Sequence, residues 1–114
     1  MGTWGAGIFE NDVALDIRDD FEQDVADGLN VYEATRKALE EWGEALDDMD
    51  NGPVIYLALA ALQVECGEVY RSIREKALEI INSGQELERW RENPDLQPER
   101  RKVLEELKGK LSEE

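Results

Sequence analysis

The feature that most constrains the fold is a nearly continuous apolar run in the middle of the chain. Residues 54–64 contain a single polar side chain, Gln63. The β-branched residues at the start of the run leave a strand possible, but residues 57–62 are all Leu or Ala and favour a helix. A helix that is apolar on every side belongs at the centre of a bundle, and this run is far too short to cross a bilayer. We therefore predict a central helix that begins at Pro53 and is ended by Gly67.

The flanking segments have the periodicity of amphipathic helices, because their apolar residues recur every three or four positions. Two capping boxes mark helix starts, one formed by Asn30 with Glu33 and one by Ser83 with Glu86. These features predict an all-α, single-domain bundle of about five helices with a glycine-rich and aromatic N-terminal loop. The predicted helices cover residues 12–27, 31–46, 53–66, 69–82 and 98–111, with a short helix from the second capping box to residue 91, a loop over residues 1–10 and a frayed tail over residues 112–114.

The charge of the chain is strongly negative and unevenly distributed. Twenty-eight acidic residues face 13 basic ones, which gives a net charge of −15. Residues 1–50 hold 15 acids and 3 bases, whereas residues 51–114 hold 13 acids and 10 bases. Such a field repels nucleic acid and anionic membranes and attracts a basic protein. The simpler interpretation is a solvated surface that keeps the protein soluble, so we expect no nucleic acid and no membrane as partners.

The residue inventory excludes several kinds of catalysis. The chain has no histidine and a single cysteine, Cys66. Serine–histidine and cysteine–histidine mechanisms are therefore absent, as is a zinc site built from thiolates and imidazoles. We expect no catalytic residue, no cofactor and no enzymatic activity. Cys66 ends an apolar run and is predicted to be a buried, inert thiol. Because no basic and then apolar leader opens the sequence, we expect a cytoplasmic protein.

Paired carboxylates leave metal binding as a further hypothesis. Asp16 and Asp20 lie four residues apart on one helix face and have the chemistry to bind a divalent cation. One residue in four is acidic, however, so such pairs arise by chance. The acidic loop over residues 47–52 fails as a calcium loop, because Ala58 stands where the last ligand has to be a glutamate. We therefore assign no metal ligand.

The opening of the chain carries the most specific motif. Residues 4–16 follow the pattern W-G-x-G-x-F-x-N-D-x-A-L-D. This pattern resembles the start of a bacterial family of uncharacterised small proteins, and residues 52–60 are similar to the middle of that family. The resemblance implies a bacterial, cytoplasmic, helical protein and supplies no catalytic residues. In physical terms, Trp4 and Phe9 are anchors on the bundle and Asn11 caps the first helix. If the two rings are exposed, they form a binding hot spot instead.

Three functional hypotheses follow. The first is a small acidic interaction protein, of the inhibitor or immunity type, whose carboxylates take the place of phosphates on a basic protein surface. The second is a structural or homo-oligomeric module without catalytic activity, and the third is a carboxylate-based binder of divalent metal. The sequence leaves the oligomeric state open. The candidate partner-binding residues are Asp19, Asp20, Asp24, Glu40, Glu41, Glu44, Asp47, Asp48, Asp50, Trp4 and Phe9.

Overall fold

The computed structural model describes residues 7–9, 12–48, 51–88, 90–91 and 94–113. Every regular element within these ranges is helical, which confirms the predicted all-α class. The fold measures 42 × 32 × 22 Å and has one apolar core. The elements in chain order are α1 (Asp12–Ala26), α2 (Val31–Glu41), a 3₁₀ turn (Ala45–Asp47), α3 (Asn51–Cys66), α4 (Arg71–Ser83), α5 (Gln85–Glu88) and α6 (Gln97–Glu113).

Helix α3 is the central element, as the apolar run predicts. It packs against α1, α2, the 3₁₀ turn, α4 and α6. Its side chains at Ile55, Leu57 and Leu59 are completely buried. Burial of one such side chain contributes about 1.5–3 kcal/mol to the free energy of unfolding. The hydrophobic effect on this one helix therefore holds the two halves of the chain together.

The start of α3 differs from the sequence prediction, because the helix begins at Asn51 instead of Pro53. The Asn51 N–H donates to the Asp48 carboxylate at 3.1 Å, and the Gly52 N–H donates to the Asp48 carbonyl oxygen at 2.9 Å. Pro53 is the third helical residue. Proline is tolerated there because N–H groups of the first turn have no acceptor within the helix.

The end of α2 also differs from the prediction, since the helix stops at Glu41 and does not reach Leu46. The N–H of the next residue, Trp42, bonds to two carbonyl oxygens of the last turn. Gly43 follows, and glycine is about 1 kcal/mol less favourable than alanine within a helix. The chain then forms the 3₁₀ turn, which packs against α3. Tertiary packing of this turn therefore replaces the last helical turn that the apolar pattern suggested.

The connection from α4 to α6 is held by a buried ion pair. Helix α4 includes Ser83, whose hydroxyl donates to the Ile80 carbonyl oxygen, and it ends at Gly84 with a left-handed φ of 77°. Glu86 does not complete the predicted capping box with Ser83. Its carboxylate oxygens accept from the Arg100 Nε at 3.1 and 3.2 Å, and both side chains are almost fully buried. This pair fixes α5 against α6.

The final helix continues beyond its predicted end. Leu104, Leu107 and Leu111 of α6 are buried in the core. Helix α6 extends to Glu113, so residues 112 and 113 of the expected tail are helical. Burial of Leu111 holds the last turn against the bundle, which explains the additional helical residues.

Candidate functional site

The acidic half of the chain folds into an antiparallel helix pair, α1 and α2. Residues 27–30 join the two helices, and Gly28 makes the turn with a left-handed φ of 105°. Asn30 accepts the Glu33 N–H at 2.8 Å, and Glu33 accepts the Asn30 N–H at 3.2 Å. The predicted capping box at the start of α2 is therefore confirmed. This tight connection places the carboxylates of α1 beside those of α2.

A lysine of α2 lies at the contact between these two helices and pairs with a carboxylate of α1. Lys37 Nζ of α2 lies 2.8 Å from Asp24 Oδ1 of α1. The pKa of Lys37 is raised above its ordinary 10.5, first by the hydrogen bond and charge of Asp24 and then by the charges of Glu41 and Asp20. Asp24 pairs with the ammonium group directly, whereas Glu41 and Asp20 act on it only through their charge. These three carboxylates and the one ammonium group leave the contact between α1 and α2 with a net negative charge.

The other cations of this half are also paired. Arg18 lies 3.5 Å from Glu22 of α1 and 3.2 Å from Glu65 of α3. Arg36 of α2 lies 3.4 Å from Glu40, four residues further along the helix. Residues 12–48 contain only three cations, Arg18, Arg36 and Lys37, and each of them makes an ion pair. The remaining carboxylates of the pair therefore have no cation to neutralise them within this half.

We call the resulting surface the acidic face. We define it by six exposed carboxylates of α1, of the end of α2 and of residues 44–47, which form no ion pair among the described residues. They are Asp16, Asp19, Asp20, Glu41, Glu44 and Asp47. All six are exposed, and they come from two consecutive helices joined by residues 27–30 and from the segment that follows α2.

The candidate binding residues predicted from the sequence have different environments. Five of the eleven lie on the acidic face, namely Asp19, Asp20, Glu41, Glu44 and Asp47. Asp24 is instead buried beneath Lys37, with only 7% of its surface exposed. Glu40 is exposed but pairs with Arg36, and Asp48 is exposed but caps α3. Trp4 and Asp50 lie outside the described residues, as does the predicted cap Asn11.

Phe9 packs on the bundle. Its ring is half-buried against the core cluster, and the Arg18 guanidinium lies 4.6 Å from the ring centroid. A cation over an aromatic ring contributes about 0.5–1 kcal/mol at an exposed site. Phe9 has the environment of an anchor that also positions Arg18 between Glu22 and Glu65.

Cys66 is exposed, so the predicted buried thiol is wrong. It is the last residue of α3, and residues 65–68 all project beyond the core into solvent. The pKa of the Cys66 thiol is raised above its ordinary 9.0 by partial desolvation and by the charges of Glu65, Glu68 and Glu22. At neutral pH the thiol is therefore protonated and weakly nucleophilic.

Two further observations on the described part of the chain concern metal binding and membrane crossing. Asp16 and Asp20 are both exposed on α1, but no group of three or more His, Cys, Asp or Glu side chains in the described ranges is arranged to hold a metal ion. None of the described helices combines the length and apolarity that crossing a membrane requires.

Two features of this region are not among the predictions made from the sequence. One is the pairing of Lys37 with Asp24. The sequence pattern that could have indicated it is the four-residue spacing of Asp16, Asp20 and Asp24, which places them on one helix face. The other is a small apolar groove between α1 and the end of α3, lined in part by Val25. Its lining comes from two segments, residues 21–25 and residues 62–66, and no local pattern links them.

Fold and surface together define a small, acidic, all-helical protein with an electrostatically unbalanced helix pair. Comparison with protein families shows that the chain belongs to the family described as domain of unknown function (DUF4259), whose model matches residues 2–114. No curated protein and no solved structure matches the chain.

Proposed function

We propose that this protein is a non-catalytic interaction protein that binds a basic protein surface through its acidic face. The observation that supports the proposal is the unequal pairing of charge in α1 and α2. All three cations of residues 12–48 are held in ion pairs, while the six carboxylates of the acidic face lack such partners among the described residues. A basic surface supplies the missing cations.

The geometry favours a protein partner of complementary charge. Exposed carboxylates on two consecutive helices that pack together produce a negative potential, which accelerates association with a cationic surface. The same potential repels nucleic acid and anionic lipid. An inhibitor of a basic protein fits this role, because its carboxylates occupy positions where the basic protein otherwise binds phosphates.

The test compares two variants that change the net charge equally. The first replaces the six carboxylates of the acidic face by their amides. The matched control replaces six exposed carboxylates of the other half, namely Glu79, Glu88, Asp95, Glu99, Glu105 and Glu106. Each tagged full-length protein is used to capture partners from the lysate of the native host, with washes at low and then high salt.

The proposal expects a basic partner that the unaltered protein and the control retain at low salt and release at high salt. The acidic-face variant should bind the same partner about tenfold more weakly or worse, since six exposed ion pairs contribute about 0.2–1 kcal/mol each. Equal retention by both variants contradicts the proposal, as does retention that high salt does not affect. Capture of no partner also contradicts it.

A further inference from the structure

A small groove opens between α1 and the end of α3. Its volume is about 220 Å³, and its walls come from α1 and the last turns of α3. Val25 is 40% exposed there and is one of two large hydrophobic side chains so exposed among the described residues. The lining residues are Phe21, Glu22, Val25, Leu62, Glu65 and Cys66.

Carboxylates surround the mouth of this groove. Glu22 and Glu65 line it directly, and Glu68 lies close enough for its charge to act on the Cys66 thiol. Arg18 bridges Glu22 and Glu65 and supplies a single positive charge. Three carboxylates against one guanidinium leave the rim negative around an apolar floor.

The size and charge of the groove limit what can occupy it. Sites for small molecules are usually about 300–1,000 Å³, so a volume near 220 Å³ suits one or two side chains better. A second copy of this chain carries the same net charge of −15 and is repelled. A peptide segment with positive charges next to an apolar residue complements both the floor and the rim.

We propose that the groove between α1 and α3 binds an apolar side chain of a partner segment in which Lys or Arg flanks that side chain. The inference rests on the proposed function and adds an anchor to it. The apolar side chain contacts Phe21, Val25 and Leu62, while the flanking cations pair with Glu22, Glu65 and Glu68. The acidic face attracts the basic partner, and the groove selects which segment of it binds.

Two synthetic peptides of equal charge test the inference on the full chain. One has the sequence Lys-Lys-Leu-Leu-Lys-Lys and the other Lys-Lys-Ser-Ser-Lys-Lys, both with blocked ends. Cys66 is the reporter, because it is the single cysteine, it is exposed and it lines the groove. The measurement is the rate of its alkylation by iodoacetamide as each peptide is titrated.

The leucine peptide is expected to protect Cys66 at about tenfold lower concentration than the serine peptide, because only leucine buries apolar surface in the groove. Val25→Ser should remove this preference, whereas Tyr32→Ser, which changes the other exposed hydrophobic side chain, should preserve it. The ratio of rates with and without peptide is compared within each variant, so changes in the intrinsic reactivity of Cys66 cancel.

Equal protection by the two peptides, or protection by neither, overturns the groove as an anchor. Loss of the preference in Tyr32→Ser as well as in Val25→Ser overturns it too. These failures leave the proposed function standing if the acidic-face variant still loses the captured partner. The converse pattern, peptide protection without any charge-dependent partner, refutes the proposed function alone.

Discussion

Gln63 is the polar side chain in an otherwise apolar stretch of α3, and it is completely buried. Its Nε2 donates to Thr35 Oγ1 of α2 at 2.9 Å, and its Oε1 accepts the N–H of Tyr70, the cap of α4, at 2.9 Å. Thr35 in turn donates to the Val31 carbonyl oxygen. One side chain thus joins three helices, and both of these hydrogen bonds satisfy a buried or partly buried group.

Replacing this amide by an apolar group of similar size should destabilise the protein. Gln63→Leu leaves the Tyr70 N–H without its acceptor and removes the hydrogen bond that Thr35 Oγ1 accepts, which costs about 1–3 kcal/mol in the free energy of unfolding. Urea denaturation followed by circular dichroism measures the change. Gln23→Leu, at an exposed position of α1, is the control and should change the free energy of unfolding by less than about 0.5 kcal/mol. Equal effects of the two changes contradict the assigned role of Gln63.

The titration of Cys66 tests the placement of the carboxylates around the groove. Alkylation requires the thiolate, so a raised pKa moves the half-maximal rate to a pH above the ordinary 9.0. Replacing Glu22, Glu65 and Glu68 by Gln should shift this midpoint downward, because the charges that oppose ionisation are removed. The midpoint should still stay above 9.0, since desolvation is the largest cause of the shift. Replacing Glu79, Glu105 and Glu106 by Gln is the matched control. An equal downward shift of the midpoint in this control would contradict the placement of Glu22, Glu65 and Glu68 around Cys66.

At the scale of elements, the contact between the 3₁₀ turn and α3 depends on a glycine. A Cβ atom built on Gly52 lies 2.5 Å from the Leu46 carbonyl oxygen and 3.2 Å from its carbonyl carbon. These are backbone atoms, so a side chain at this position forces the two elements apart. The absence of a side chain at Gly52 is what allows the 3₁₀ turn to pack against the first turn of α3.

Gly52→Ala should therefore lower the free energy of unfolding by about 1–3 kcal/mol, as overpacking typically does. Gly109→Ala is the matched change in α6, where a Cβ meets no atom within 4 Å. It should raise the free energy of unfolding by about 0.5–1 kcal/mol, because alanine is the better helix former. Thermal or urea unfolding of both variants measures the difference. The same sign for the two substitutions is incompatible with this assignment.

The elements differ in how far the sequence predicts them. Helix α3 and the capping box at Asn30 follow from local patterns that no other pattern contradicts. The end of α2 does not, because the contact of Gly52 with Leu46 decides it and these residues meet only after folding. Glu86 has a local signature of a cap, yet the buried Arg100, 14 residues further on, binds its carboxylate.

The candidate site, like the elements, is predicted from the sequence only in part. Composition alone predicts an acidic half-chain, since the acids of residues 1–50 are counted directly. Which of them remain without an ion pair depends on tertiary contacts, such as Lys37 with Asp24 and Arg18 with Glu65. Cys66 ends an apolar run in sequence but is exposed in the fold, where it lines the groove between α1 and the end of α3.

For the whole molecule, the dominant electrostatic effect is repulsion. The net charge is −15, and residues 1–50 alone hold 15 acids against 3 bases. Mutual repulsion of like charges destabilises the compact state relative to the unfolded chain, in which the charges are further apart. The acidic face therefore lowers stability, and the proposed binding to a basic surface would offset this repulsion.

Salt should consequently stabilise this protein. The screening length falls from about 30 Å at 0.01 M to about 3 Å at 1 M salt, so repulsion across the acidic face weakens before the short ion pairs do. We expect the melting temperature to rise with sodium chloride. We also expect the six-carboxylate variant of the acidic face to melt higher at low salt and to depend less on salt. The control variant of the other half should gain less, because its carboxylates lie among ten cations in residues 51–114. Differential scanning calorimetry across the salt range compares the three proteins, and a melting temperature that falls with salt in the unaltered protein would mean that the ion pairs outweigh the repulsion.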